Sequence, residues 1–252
     1  MDIPSNRITL YLKDHENVSI KDFITPIEHT LSHFHIEWEA LANLRVVEPE
    51  RQYQASIFQS FLPSESVSVG ECWRIEETGV LDLLQQLNPE PNLDMHIDSG
   101  DSRGLWACLR AYNDQYADIA FRIHAEFKLD GGWLTPSQFA GNLIVDRHNQ
   151  QIAFFKMYVP EGTVNLDINW DSADAGFCSQ IELTTGTENI LQDTDFKEEI
   201  TQEAAERTLA LCFYKSEQIN WVSPFRAIEM AEEQFKLMHI ISIDGPLKDE
   251  SC

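Results

Sequence analysis

From Ile119 to Leu129 the chain alternates without a break: Ile119, Phe121, Ile123, Ala125, Phe127 and Leu129 are apolar, and Ala120, Arg122, His124, Glu126 and Lys128 stand between them. A period of two puts the first set on one face of a strand and the second on the other, so the pattern predicts one buried face and one wet face. Such a strand needs partners, and the following residues supply them. Asp130-Gly131-Gly132 is a turn sequence. After it, Leu143 to Val145, Ile152 to Val159, and Val164, Leu166, Ile168 and Trp170 alternating with Asn165, Asp167 and Asn169 read as further strands. Together they predict an antiparallel meander.

Elsewhere the period differs. Ile8, Leu10 and Leu12 alternate with Thr9 and Tyr11 as a short strand, whereas Ser19 to Glu39 mixes periods and fits neither template. Gly79 to Leu87 has helical spacing and stops before Asn88-Pro89, and Asn88 to Gly104 reads as a polar loop. Thr201 is placed to cap a helix running through Tyr214, and Ser223-Pro224 gives a cap and a first-turn proline to another. In that second helix Ile228, Ala231, Phe235 and Met238 form one stripe, expected to face a core. His239 to Ile243 then suits a strand buried on both faces, ended by Asp244-Gly245-Pro246. The expected fold class is α+β: a β-rich antiparallel domain over residues 1–195, then a helix-strand segment over 196–252 that opens an α/β unit.

Charge narrows the partners. Against 42 acidic side chains there are 18 basic ones, a formal net charge of -24, which repels phosphate backbones and anionic lipid head groups. Neither nucleic acid nor a membrane surface is an expected partner. Cys72, Cys108, Cys178, Cys212 and Cys252 are odd in number and scattered, without a CxxC or zinc spacing. With no basic and apolar leader at the start and no run of ~18 apolar residues, the expectation is a reducing, cytoplasmic setting.

Weaker patterns lose to structural readings. His29, His33 and His35 have a spacing that could hold a metal but no identifiable fourth ligand. Asp167, Asn169 and Asp171 imitate the start of a calcium loop, yet Ser172 and Cys178 occupy positions that need Gly and Glu. No metal or cofactor is expected. Trp106, Trp133 and Trp170 read as packing residues, Cys212 as an inert buried thiol, and Cys72 or Cys108 as conceivable resolving partners for Cys252.

Cys252 lies a few residues beyond the strand expected at 239–243, where α/β folds place ligands. Its own α-carboxylate, Asp249 and Glu250 disfavour a thiolate there. The segments GWLTPSQFAGNLIVD (Gly132 to Asp146), YVP (Tyr158 to Pro160), NLDINW (Asn165 to Trp170) and GPLKDESC (Gly245 to Cys252), in this order, resemble selenoprotein N from about Lys128 onward. That family carries a Ser-Cys-selenocysteine-Gly motif in a thioredoxin-like segment, and Ser251 and Cys252 match its first two positions. The resemblance implies thiol-disulfide oxidoreduction, with Cys252 as the sulfur half of a Cys-selenocysteine pair, Ser251 shaping the loop, and a protein disulfide or small thiol or disulfide as substrate. Because selenocysteine is encoded by UGA, the native chain is expected to continue through it. Calcium response and membrane anchoring, found in vertebrate members, have no matching motif here. The alternative is a non-catalytic, acidic β-rich binding module for a protein or small ligand.

Overall fold

In a computed structural model, which describes residues 6–13, 17–94, 104–187, 189–190, 194–213 and 222–234, the long alternation bends in its middle. Strand β7 (Tyr116–Ile123) lies in a nine-stranded sheet, and β8 (Glu126–Leu129) lies in a six-stranded one. His124 and Ala125 form the corner. The chain turns at Asp130-Gly131, where Gly131 takes φ +86°, a region open to glycine. It comes back through β9 (Gly132–Pro136) in the smaller sheet and β10 (Phe139–Asp146) in the larger. β7 pairs with β10 and β8 with β9, so one ribbon spans both sheets. Next come β11 (Gln151–Tyr158), β12 (Leu166–Asn169), β13 (Ala173–Phe177) and β14 (Ile181–Gly186). They repeat the device: β11 pairs with β14, and β12 with β13. The ribbons join through β10–β11 and β9–β12. The meander is therefore present, with each long strand folded over.

Apolar residues persist through the corner because both halves aim them into the angle between the sheets. Ile119, Phe121, Ile123, Ala125, Phe127 and Leu129 all lie in one buried cluster. Its centre is aromatic: Phe58 meets Phe155 at 5.1 Å between ring centroids, Phe61 meets Phe121 at 5.1 Å, and Phe121 stacks on Phe155 at 5.6 Å. Phe58 sits on α2 (Ala55–Gln59) and Phe61 just beyond it; α3 (Glu77–Leu87) packs alongside with Val80, Leu83, Leu84 and Leu87 fully buried.

The remaining strands extend the edges. β1 (Asn17–Ile24) joins β14 to β3 (Glu50–Gln54), and β6 (Leu105–Tyr112) pairs with β7. The far side of β6 takes β4 (Cys72–Arg74) near one end and β15 (Glu198–Glu199) near the other. In the smaller sheet β2 (His29–Thr30) and β5 (Pro91–Asn92) are the outer strands. A short helix, α1 (Glu39–Ala42), links β2 to β3. The chain is thus mostly antiparallel β with few helices.

Two sequence expectations change. On the second face of Ile119 to Leu129 only Lys128 is exposed as expected; Ala120 is 1%, Arg122 8%, His124 1% and Glu126 3% exposed. Helix α4 (Gln202–Phe213) packs over β6 and β7 and covers Ala120 with Ala205 and Leu209. Ile8 to Leu12 forms a single bridge, Ile8 to Val67, rather than a strand, although Ile8, Leu10 and Leu12 are buried as their alternation requires. Both helix caps are found: Thr201 Oγ1 accepts from the Ala204 amide at 3.1 Å, and Ser223 Oγ from the Arg226 amide at 3.4 Å. The second of these helices, α5 (Pro224–Gln234), leaves Phe225 83% and Ile228 43% exposed. Of the expected stripe, Ile228 is thus exposed and Ala231 partly so. Phe235, Met238 and the expected strand at 239–243 lie outside the described residues. No described helix is long and apolar enough to cross a membrane.

Candidate functional site

The chemistry-bearing residues collect where α4 covers the large sheet. Between Leu109 and Ala111 the β6–β7 register shifts, leaving Arg110 without an opposite residue on β7. Such a bulge re-aims its side chain. Arg110 Nε donates to Asp118 Oδ2 in a tight ion pair, and Asn142 Nδ2 donates to the other oxygen at 2.9 Å. Asp118 is fully buried. Burial pushes its carboxyl above the ordinary range, and the Arg110 charge, Asn142 and the Arg110 hydrogen bond pull it partly back. Gln202 Oε1 on α4 accepts from Asn142 at 3.3 Å, and Arg110 reaches the Ile200 carbonyl at 3.4 Å, which ties the helix to the sheet.

Next to this network Arg122 Nε donates to His124 Nε2 at 3.1 Å, and the His124 ring stacks on Phe213 at 4.0 Å. Burial, reinforced by the Arg122 charge, holds His124 well below its usual 6.5. The imidazole is neutral and acts as an acceptor.

Three thiols complete the layer. Cys72 on β4 and Cys108 on β6 face each other across the sheet, and Cys212 comes from α4. Hydrogen bonds link Cys72 to both of the others. The bond from Cys72 lowers the Cys108 thiol, while the bond to Cys108 pushes Cys72 up to about 12. The bond to Cys72 likewise pushes Cys212 up, with burial adding to it. Cys108 is the fully buried member of the cluster; Cys72 and Cys212 are half-buried. Cys212 therefore stays a protonated, unreactive thiol, as its sequence context suggests, although it is half-buried rather than buried. Cys178 sits apart, bonded to the Thr25 carbonyl at 3.2 Å.

The sequence candidates distribute differently. Ser251 and Cys252 lie outside the described residues, so their distance to Cys72 or Cys108 is not part of this geometry. His29 stacks on Phe177 at 5.6 Å, and His35 Nδ1 lies 3.3 Å from Thr30 Oγ1. Among the described residues no group of His, Cys, Asp or Glu has metal-binding geometry. Asp167 and Asn169 belong to β12, not to a loop. Trp170 stacks on Trp38 at 5.8 Å, and Arg74 lies over Trp106 at 5.5 Å, both packing roles. What the sequence did not signal is the polar network, because Arg110, Asp118 and Asn142 come from three strands whose register no local pattern reveals.

No family model matches the chain, and no solved structure matches it either. Curated relatives do. The zebrafish (Danio rerio) selenoprotein N is 28% identical over 265 residues, 79% of this chain and 47% of that protein. The Mus musculus selenoprotein N is 25% identical over 84% of this chain and 50% of its own length, and the Homo sapiens selenoprotein N 26% identical over 85% and 46%. The chain spans about half the length of these relatives. Over about four fifths of its length, therefore, the chain is similar to the vertebrate selenoproteins N.

Proposed function

We propose that this chain belongs to a thiol-disulfide oxidoreductase of the selenoprotein N type, with residues 196–252 opening a thioredoxin-like unit and Ser251-Cys252 forming the first half of its redox motif. The observation that carries this reading is the GPLKDESC segment, Gly245 to Cys252, in a chain whose remainder matches selenoprotein N. A selenol ionises at neutral pH without assistance, so it opens a disulfide where Cys252, beside Asp249 and Glu250, would be slow. The selenolate forms a selenenyl sulfide with one substrate sulfur and expels the other as a thiolate. Cys252 then attacks selenium and releases the second thiolate. The resulting Cys252–selenocysteine bond stores the two electrons' worth of oxidation until a dithiol donor reduces it. The free thiols Cys72, Cys108, Cys178 and Cys212 favour a reducing, cytoplasmic compartment for this chemistry. The acidic surface favours protein or small-molecule disulfides over nucleic acid.

The test is reduction of a small aromatic disulfide by the chain extended past Cys252, with the following codon decoded as selenocysteine. The expected result is that Cys252→Ser lowers kcat/KM by about tenfold or more, equivalent to ~1.4 kcal/mol of transition-state stabilisation. Equal rates would favour the binding-module reading.

A further inference from the structure

We infer that Cys72 and Cys108 form a second thiol-disulfide site, in which a low-molecular-weight disulfide oxidises the two thiols to a cross-strand bond that locks β4 to β6. The backbone geometry supports it. Leu109 donates to the Glu71 carbonyl at 3.2 Å and Ile75 to the Leu105 carbonyl at 3.1 Å. Counting two residues at a time, Trp73–Ala107 is a further hydrogen-bonded position, and Cys72–Cys108 falls at the intervening, non-hydrogen-bonded one. Such pairs bring their Cα atoms to about 4.5 Å, the closest approach in an antiparallel ladder. That lies inside the roughly 4.4–6.8 Å window of disulfides. Cys212 belongs to the helical layer above the sheet and shares no such backbone pairing.

Access divides the roles. Cys72 is half-buried, on a strand that pairs along one side with β6. Cys108 is fully buried, and its hydrogen bond with Cys72 holds its thiol below the usual range. The small disulfide therefore meets Cys72 first. As the Cys72 sulfur attacks, its proton passes to solvent, one S–S bond breaks, and a small thiolate leaves and takes a proton back from water. Cys108 then gives up its proton and attacks Cys72 Sγ, the second small thiolate leaves and takes up a proton in turn, and the protein holds a Cys72–Cys108 bond. Two protein thiols are oxidised and one small disulfide is reduced to two thiols. This site does not rest on the reading of Cys252, and a Cys252→Ser chain tests one without the other.

The experiment uses the full chain in glutathione buffers of increasing oxidised-to-reduced ratio, with thiols trapped by alkylation and mapped by peptide mass. A Cys72–Cys108 cross-linked peptide is expected, retained in Cys178→Ser and Cys252→Ser and lost in Cys72→Ser. In a background where Cys178, Cys212 and Cys252 are all serine, closure should be at least about tenfold more favourable in the folded chain than in the urea-unfolded chain. Equal closure in the two states, a bridge from Cys72 to Cys212 or Cys252 instead, or thiols that stay reduced at the most oxidising ratio would overturn the inference.

Discussion

Replacing Arg110 by alanine destabilises the protein by about 3–5 kcal/mol, because it strands the Asp118 carboxylate in a site with no exposed surface. The pair itself is worth far less than that figure. Taking both charges out of water costs much of what their attraction returns, so the loss measures an orphaned charge rather than a bond. Asn142 keeps one hydrogen bond to Asp118 after the change, but one neutral donor cannot replace a guanidinium. A second variant separates these terms: Arg110→Ala combined with Asp118→Asn removes the stranded charge and should recover most of the loss. The pH dependence follows from the direction of the Asp118 shift. Burial already raises it above the unfolded value, and without Arg110 it rises further. The folded state then keeps a proton that the unfolded chain releases, so the single variant loses stability as pH rises above the unfolded carboxyl range. Urea midpoints at pH 5 and pH 8 read this directly. An Arg110→Ala chain within about 1 kcal/mol of the parent at both values would rule the account out.

The cap residues Thr201 and Ser223, the turn at Gly131 and the strands after it were legible because each depends on residues close in sequence. The corner at His124 and Ala125 was not. An alternation stays regular around a bend when both arms point their apolar side chains into the same core, so Ile123 and Phe127 give no sign that they belong to different sheets. The polar face misled for a related reason. Arg122 and His124 look like solvent residues on a half-buried strand, and what buries them is Phe213 and its helix, far along the chain. The thiol cluster hides in the same way: the sequence shows Cys72, Cys108 and Cys212 as scattered residues, and only the β4–β6 pairing and the packing of α4 bring them together. Local chemistry is readable from sequence. Chemistry assembled by register is not.

The region that fitted neither template contains the reason in Asp22. Along β1, Val18, Ile20 and Ile24 share the inward face, and Asp22 stands in the same row, 3% exposed, where the pattern asks for an apolar side chain. Among the described residues neither of its carboxyl oxygens has a partner in good hydrogen-bond geometry. Gln86 is fully buried nearby but spends its amide hydrogens on the Ile20 and Glu48 carbonyls, both at 3.0 Å. Burial pushes the Asp22 carboxyl up to about 7; its own backbone amide and, more weakly, Gln86 pull it back, while the Glu48 charge acts with burial. The unfolded chain releases this proton near 3.8 and the folded one near 7, so stability falls across that interval and levels off above it. The full interval corresponds to about 4 kcal/mol. Asp22→Asn keeps the shape of the neutral acid and removes the titration. Its advantage over the parent should grow by about 2–3 kcal/mol between pH 5 and pH 8, read as diverging urea midpoints. Parallel midpoints across that range would mean that water or a shifted Gln86 already solvates the carboxylate, and that the inward position of Asp22 costs the fold nothing.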